Sequence, residues 1–272
     1  MKKRHITSAA SQVFGRFASK EHSKRVQTRI NRIYVRMMGL DMSEFDEPES
    51  YPTLNALFTR KLKKKRAFSA DVRDVISPCD SLITECGLID ENLALQIKGM
   101  SYSVDGFLGE HISDLYKKSI HNGTFVNFYL SPRDYHRYHA PMDMQILGAV
   151  HIPGKLYPVN VPTLKKKINL FLENERVVLE CLNSEGKHFF LILVGALNVG
   201  KMEVSFEPRI QTNTVLTSAH YSYNGLYLSK GDDFGCFQMG STIVMLCESG
   251  MVELGISSGH NVKFAQTIAR LN

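Results

Sequence analysis

The chain has 272 residues, 43% of them apolar and 22% charged, with a formal net charge of +6, which suffices for one large domain or two small ones with a full core. Its five cysteines include no Cys-x-x-Cys pair, which excludes a zinc ribbon, fits no disulfide framework and points to reduced thiols in a cytoplasmic setting. No run of about eighteen apolar residues exists to cross a membrane, and the basic start Met1-Lys2-Lys3-Arg4 is not followed by the apolar stretch that a cleaved signal needs.

Charge is unevenly placed. Residues 1 to 40 hold ten Lys or Arg against the single acid Glu21, and the rest of the chain is net negative. Such a basic end expects an anionic partner, nucleic acid or a membrane surface. Apolar residues recur at helical spacing at Ile6, Ala9, Ala10, Val13, Phe14 and Phe17, and again at Val26, Ile30, Ile33, Tyr34 and Met37, with Gly39 as a stop. The other face of the second helix carries Lys24, Arg25, Arg29, Arg32 and Arg36. An apolar stripe opposite a basic face suits a helix lying in the plane of an anionic leaflet. Packing on its own domain is the ordinary alternative. Basic helices also bind nucleic acid, but no nucleic-acid-binding motif follows, so no such partner is expected.

An acidic linker, Asp41 to Ser50, leads to a short helix within Tyr51 to Arg60. Lys61, Lys63, Lys64, Lys65 and Arg66 then form a second positive patch, read first as a solvated face. Beyond Ala70 short apolar runs alternate with turn residues, which predicts strands at Leu82 to Ile89, Leu93 to Ile97, Thr124 to Leu130 and Gln145 to Ile152. Further strands are predicted at Arg176 to Leu182, His188 to Val194, Met202 to Phe206 and Thr242 to Leu246, with short helix between Gly106 and Tyr116. The expected fold class is α+β, an antiparallel β-rich core with amphipathic N-terminal helices. It divides into a membrane-associating segment at 1–45 and a β-rich catalytic domain at 46–272.

Three segments carry chemistry. Asp80, in Ser77-Pro78-Cys79-Asp80-Ser81, stands at a turn before a strand, where it is a cap or an orienting carboxylate. The run Leu130-Ser131-Pro132-Arg133-Asp134-Tyr135-His136-Arg137-Tyr138-His139-Ala140-Pro141 is the densest polar group in the chain. Its His136 and His139 have the spacing of half a metal site, but no Cys or Glu pair completes one, so no metal is expected. One imidazole is then a candidate general base. Gly240-Ser241-Thr242 follows an apolar run. It reads either as a simple turn or as a site where Ser241 attacks the Gly240 carbonyl, an acyl shift whose elimination and hydrolysis leave a pyruvoyl-capped new N-terminus.

Taken together, these segments resemble the bacterial phosphatidylserine decarboxylases, which are self-processing pyruvoyl enzymes. The likeness extends to Lys98-Gly99 with Tyr102-Ser103, Pro153-Gly154-Lys155-Leu156 with Val159-Asn160, Asn174-Glu175-Arg176-Val177, and Val194-Gly195-Ala196 with Val199-Gly200. Met239 and Ser81 depart from the family's usual Leu and Gly. The resemblance implies that Asp80, His139 and Ser241 form a relay that cleaves the chain between Gly240 and Ser241, giving chains 1–240 and 241–272. It also implies that His136 assists decarboxylation, although spacing alone does not separate the roles of the two histidines. The cofactor implied is the pyruvoyl group derived from Ser241, which condenses with the amine of phosphatidylserine. The resemblance further implies a homodimer, peripheral on the cytoplasmic face of the cell membrane. Competing readings are a soluble pyruvoyl-dependent amino-acid decarboxylase, a non-catalytic lipid-binding β module and an ordinary serine hydrolase.

Overall fold

Runs rich in β-branched and aromatic residues, separated by short turns, favour strands, and beyond residue 70 the chain follows that rule. The computed structural model describes residues 15–97, 100–197, 201–238 and 241–272. Its helices are α1 (residues 15–19), α2 (Lys24–Met38), α3 (Leu54–Phe58), α4 (Val104–Leu108), α5 (Asp114–Ile120), α6 (Val161–Leu164) and α7 (Leu170–Glu173). The strands are β1 (Asp74–Ile76), β2 (Ser81–Leu88), β3 (Leu93–Ile97), β4 (Met100–Ser103), β5 (Thr124–Leu130), β6 (Arg137–His139), β7 (Met144–Ile152) and β8 (Arg176–Asn183). They continue as β9 (His188–Val194), β10 (Met202–Val204), β11 (Ala219–Leu228), β12 (Asp233–Phe237), β13 (Ser241–Cys247), β14 (Val252–Leu254), β15 (Asn261–Val262) and β16 (Thr267–Leu271).

Among the described residues the strands form an eight-stranded sheet in the order β11-β7-β8-β9-β13-β5-β2-β15 and a three-stranded sheet β10-β12-β6. A second three-stranded sheet, β1-β16-β14, and the hairpin β3-β4 complete the set. The named strands pair antiparallel throughout, so the expected α+β class with an antiparallel core is the observed one. β13 lies between β5 and β9, and all seven of its residues are buried. The expected strand at Met202 to Phe206 stops at Val204. β11, a ten-residue edge strand, is not anticipated by the sequence reading. Its burial is half-hearted along the whole length, and its pairing to β7 shifts register between Ser222 and Leu226, around Gly225 at φ 77.

Of the first predicted helix, Ile6 to Phe17, the part up to residue 14 lies outside the described residues. α2 ends as expected at Gly39, which takes the left-handed conformation open to glycine and bonds back to the Val35 carbonyl. Of its apolar stripe, Tyr34 is buried and Ile30 packs against the neighbouring cluster, while the rest faces outward. Gln27, Asn31 and Tyr34 are the buried residues, and Asn31 donates to the Pro48 and Tyr51 carbonyls at 2.8 and 3.0 Å. Val26, Ile33 and Met37 point to solvent at 46%, 56% and 74% exposure. The helix therefore docks through polar anchors and Tyr34, with Ile30 and Val35 packed against a cluster that also holds Ala18, Leu40, Leu54, Leu57 and Phe58.

Candidate active site

Two chain crossings connect the large sheet to the β10-β12-β6 sheet side by side. The chain leaves β5 at Leu130, passes through residues 131–136 and enters β6, while β12 ends at Phe237 and β13 begins at Ser241. The crossings are tied at both ends. Ser241 is registered opposite Leu130, and the Phe237 N–H donates to the His136 carbonyl at 2.9 Å. A third segment joins them, because the His139 N–H donates to the Pro78 carbonyl at 2.9 Å while Leu82 pairs with Tyr129. Asp80, the histidine-bearing run and Ser241 thus meet at one seam between sheets. Gly240 itself lies outside the described residues, as do Lys98-Gly99 and Val199-Gly200 of the resemblance.

His136 is fully buried and lies against the Phe58 ring at a centroid distance of 3.9 Å. Its Nδ1 is 2.8 Å from the Asp134 carbonyl oxygen. A carbonyl only accepts, so Nδ1 carries the proton and Nε2 holds the free lone pair. Burial pushes this imidazole down to about 3, so it is neutral at pH 7. Nε2 is buried with no hydrogen-bond partner among the described residues, and so is the Ser241 hydroxyl. An unpartnered buried polar atom costs about 1–3 kcal/mol, and here a nucleophile and a base with an open lone pair are buried at one seam.

His139 is held differently. Its ring stacks on Phe264 at 3.6 Å and 14°, Nδ1 donates to the Gly231 carbonyl at 3.2 Å, and Nε2 accepts from the Tyr135 hydroxyl at 3.0 Å. Burial lowers this imidazole to about 4. Asp80 does not reach it. The Asp80 carboxylate takes both terminal nitrogens of Arg66, one of them at 3.0 Å, and the Phe264 N–H at 2.8 Å. Arg66 is itself clamped by Glu44 through two bonds of 2.8 Å. Among the described residues no hydrogen bond joins Asp80 to His139 or either histidine to Ser241. Phe264 is the link, with its N–H on Asp80 and its ring on His139.

Sequence reading missed Arg66, Tyr135 as a partner of His139, Phe264 and Phe58. Arg66 ends a lysine run read as a solvated face, yet only 11% of its side chain is exposed. Tyr135 stood in plain view inside the polar run, whereas Phe264 carried no local signal. The other resembling segments knit the β8–β9 side of the same sheet end, where Val194 pairs with both Thr242 and Arg176. Asn174 donates to the Tyr157 and Gly195 carbonyls, Glu175 accepts from His151 and the Asn213 N–H, and Arg176 donates to the Gly106, Phe107, Leu172 and Asn174 carbonyls. A Cβ at Gly154 would sit 2.5 Å from the Glu173 oxygen and the Glu175 nitrogen, so only glycine fits there.

The phosphatidylserine decarboxylase family model matches residues 54–270. The chain is 49% identical to the phosphatidylserine decarboxylase proenzyme of Helicobacter pylori strain Shi470, over 90% of each chain. It is 42% identical to the proenzyme of Campylobacter jejuni over 97% of this chain and 99% of the relative. The Halorhodospira halophila proenzyme is 35% identical over 90% of this chain and 84% of the relative. With a family match spanning the three segments at the seam and relatives alike from end to end, the chain belongs to the phosphatidylserine decarboxylase family.

Proposed function

We propose that the protein is a self-processing phosphatidylserine decarboxylase that converts phosphatidylserine to phosphatidylethanolamine and carbon dioxide. The observation that carries this reading is the pair of buried, unpartnered atoms at the seam, Ser241 Oγ and His136 Nε2. In the processing step Ser241 Oγ bonds to the Gly240 carbonyl carbon and the peptide C–N bond breaks, the hydroxyl proton passing through an imidazole to the freed amine. Elimination then breaks the Ser241 Oγ–Cβ bond and leaves Gly240 as a carboxylate. One water enters and ammonia leaves as residue 241 becomes a ketone.

The residues present fit a pyruvoyl group at position 241: its precursor hydroxyl is buried, has no hydrogen-bond partner among the described residues and begins a wholly buried strand. Such a group supplies a carbonyl that accepts the electrons released with carbon dioxide. We assign His136, neutral and with Nε2 open, to moving a proton at the reacting carbon, and Asp80 with His139 to self-cleavage. In that second role the Tyr135 hydroxyl leaves Nε2, while Asp80, held in place by Arg66, acts on His139 through Phe264, whose N–H it accepts and whose ring stacks on the imidazole.

For lipid access we assign residues 1–45 to the membrane and the protein to its cytoplasmic face. The support is α2, whose outward side sets Val26, Ile33 and Met37 beside the solvent-facing Arg25, Arg29, Arg32 and Arg36. No helix among the described residues is long and apolar enough to cross a membrane. The homodimer is proposed on the family resemblance alone, and sedimentation velocity checks it. The decisive experiment compares intact mass under denaturing conditions for the wild type and Ser241→Ala, alongside carbon dioxide release from phosphatidylserine. Two chains split before residue 241 with lipid decarboxylation, both absent in the variant, are expected. A well-folded wild type that stays a single chain would refute the reading.

A further inference from the structure

We propose that the cavity between the α2–α3 connection and the 131–136 crossing is an oxyanion site built on Arg60, and that it takes the phosphodiester of the substrate head group. This rests on the decarboxylase reading above and names how the lipid is recognised. The cavity measures about 190 Å³ and is lined by Glu44, Phe45, Arg60, Arg66, Arg133 and Lys263, among others. At roughly 30 Å³ per water in the liquid, it has room for more than a single solvent molecule.

Arg60 is 2% exposed. One terminal nitrogen donates to the Arg133 and Asp134 carbonyls at 3.1 and 3.3 Å. Its Nε and other terminal nitrogen are buried and meet no acceptor among the described residues. The Phe45 ring covers the guanidinium at 4.4 Å. A buried guanidinium that forms no ion pair among the described residues, with Asp80 and Asp134 acting on it only from a distance, is unfavourable, and its planar fork matches two oxygens of one oxyanion.

The carboxylates of the wall are engaged elsewhere. Glu44 and Asp80 are held by Arg66, Asp134 accepts from the Ser131 N–H and hydroxyl, and Asp41 accepts from the Ser43 N–H. Arg133 and Lys263 stand exposed at the rim. A singly charged diester suits a wall that also carries acids better than a dianion does.

Position connects the cavity to the chemistry. Arg60 and His136 Nδ1 donate to the same Asp134 oxygen, at 3.3 and 2.8 Å, so these nitrogens lie no more than about 6 Å apart. In phosphatidylserine the phosphorus is three bonds from the carbon that loses carbon dioxide. The serine carboxylate is the wrong occupant, because a cation gripping it in the ground state would oppose its departure.

The test uses the full chain and two readouts. Uncleaved Ser241→Ala protein is titrated calorimetrically with glycerophosphoserine and, separately, with inorganic phosphate, with and without Arg60→Met. Processed wild type, Arg60→Lys and Arg60→Met are assayed on phosphatidylserine in mixed micelles and on a serine ester lacking phosphate. The proposal expects glycerophosphoserine binding that Arg60→Met abolishes, and KM for phosphatidylserine raised tenfold or more with the phosphate-free ester unaffected. Arg60→Lys should fall between, and it keeps the test alive if the methionine variant fails to fold.

Binding of inorganic phosphate alone, with glycerophosphoserine ignored, would make this a free-anion site and overturn the substrate assignment. Unchanged binding and KM in both variants would mean that the cavity holds water. Failure of the decarboxylase reading would look different: the wild type would release no carbon dioxide from phosphatidylserine, whatever Arg60 binds.

Discussion

His136 and His139 stand three positions apart on one short segment, yet their Nε2 atoms face different tasks. That of His139 is occupied by Tyr135 and that of His136 is open. Under the proposed roles, His139→Ala should remain one chain on denaturing mass analysis, whereas His136→Ala should split normally and lose decarboxylation by at least a hundredfold, the low end of what general acid–base groups contribute. The reverse pattern would exchange the two roles. Both imidazoles titrate below the ordinary value of 6.5 in the folded state, so between about pH 6.5 and 4 the unfolded chain binds protons that the folded chain does not. Stability is therefore full above about 6.5 and falls as pH drops toward 4. A urea midpoint that stayed level from pH 7 to 5 would contradict this. Arg66 acts through Asp80, which it holds by two bonds while Glu44 fixes it from behind. Arg66→Met should slow self-cleavage in a time course at least tenfold, and added guanidinium should restore part of the rate. Turnover per titrated carbonyl in the fraction that has matured should stay unchanged, which a general loss of structure would not allow.

At the scale of elements, α2 separates two properties that usually travel together. Its fully buried residues carry amide and phenol groups, led by the Asn31 bonds to Pro48 and Tyr51, with Ile30 and Val35 packed beside them, while Val26, Ile33 and Met37 are exposed on its outer side. Replacing Ile33 and Met37 by Glu should thus leave the denaturation midpoint almost where it was, since exposed substitutions typically change stability by no more than about 0.5 kcal/mol. The same change should abolish flotation with anionic vesicles. Asn31→Leu should do the opposite, costing about 1–3 kcal/mol by leaving two backbone carbonyls unpaired with vesicle binding kept. If the double Glu variant floats as well as the wild type, α2 is not the membrane contact. Periodicity made the helix and its Gly39 stop legible. It left open which side faces the protein, because a helix turns inward whichever face finds partners, and Asn31 found two carbonyls.

Over the whole molecule, the 241–272 chain is woven into two sheets rather than appended to one. β13 bonds along its length to β5 and β9, β15 pairs with β2, and β16 pairs with β1, all of them strands of the 1–240 chain. Cleavage before Ser241 should therefore leave the two chains associated on native mass analysis and unfolding in one denaturant transition. The sequence alone determined the β-rich core, because strands such as β5, β9 and β13 are apolar enough to need burial wherever they go. It also singled out Asp80, His136, His139 and Ser241 as the candidate set, since those side chains stand in polar, turn-flanked segments and match the family's motifs. Only the tertiary structure decided how they meet. The seam exists because β5–β6 and β12–β13 cross between the same two sheets, and strand pairing across a hundred residues has no local signal. Arg66 and Phe264 came to Asp80, and Arg60 to the cavity beside His136, for the same reason: a lysine-rich run and a C-terminal phenylalanine acquire a role only from the neighbours that folding supplies.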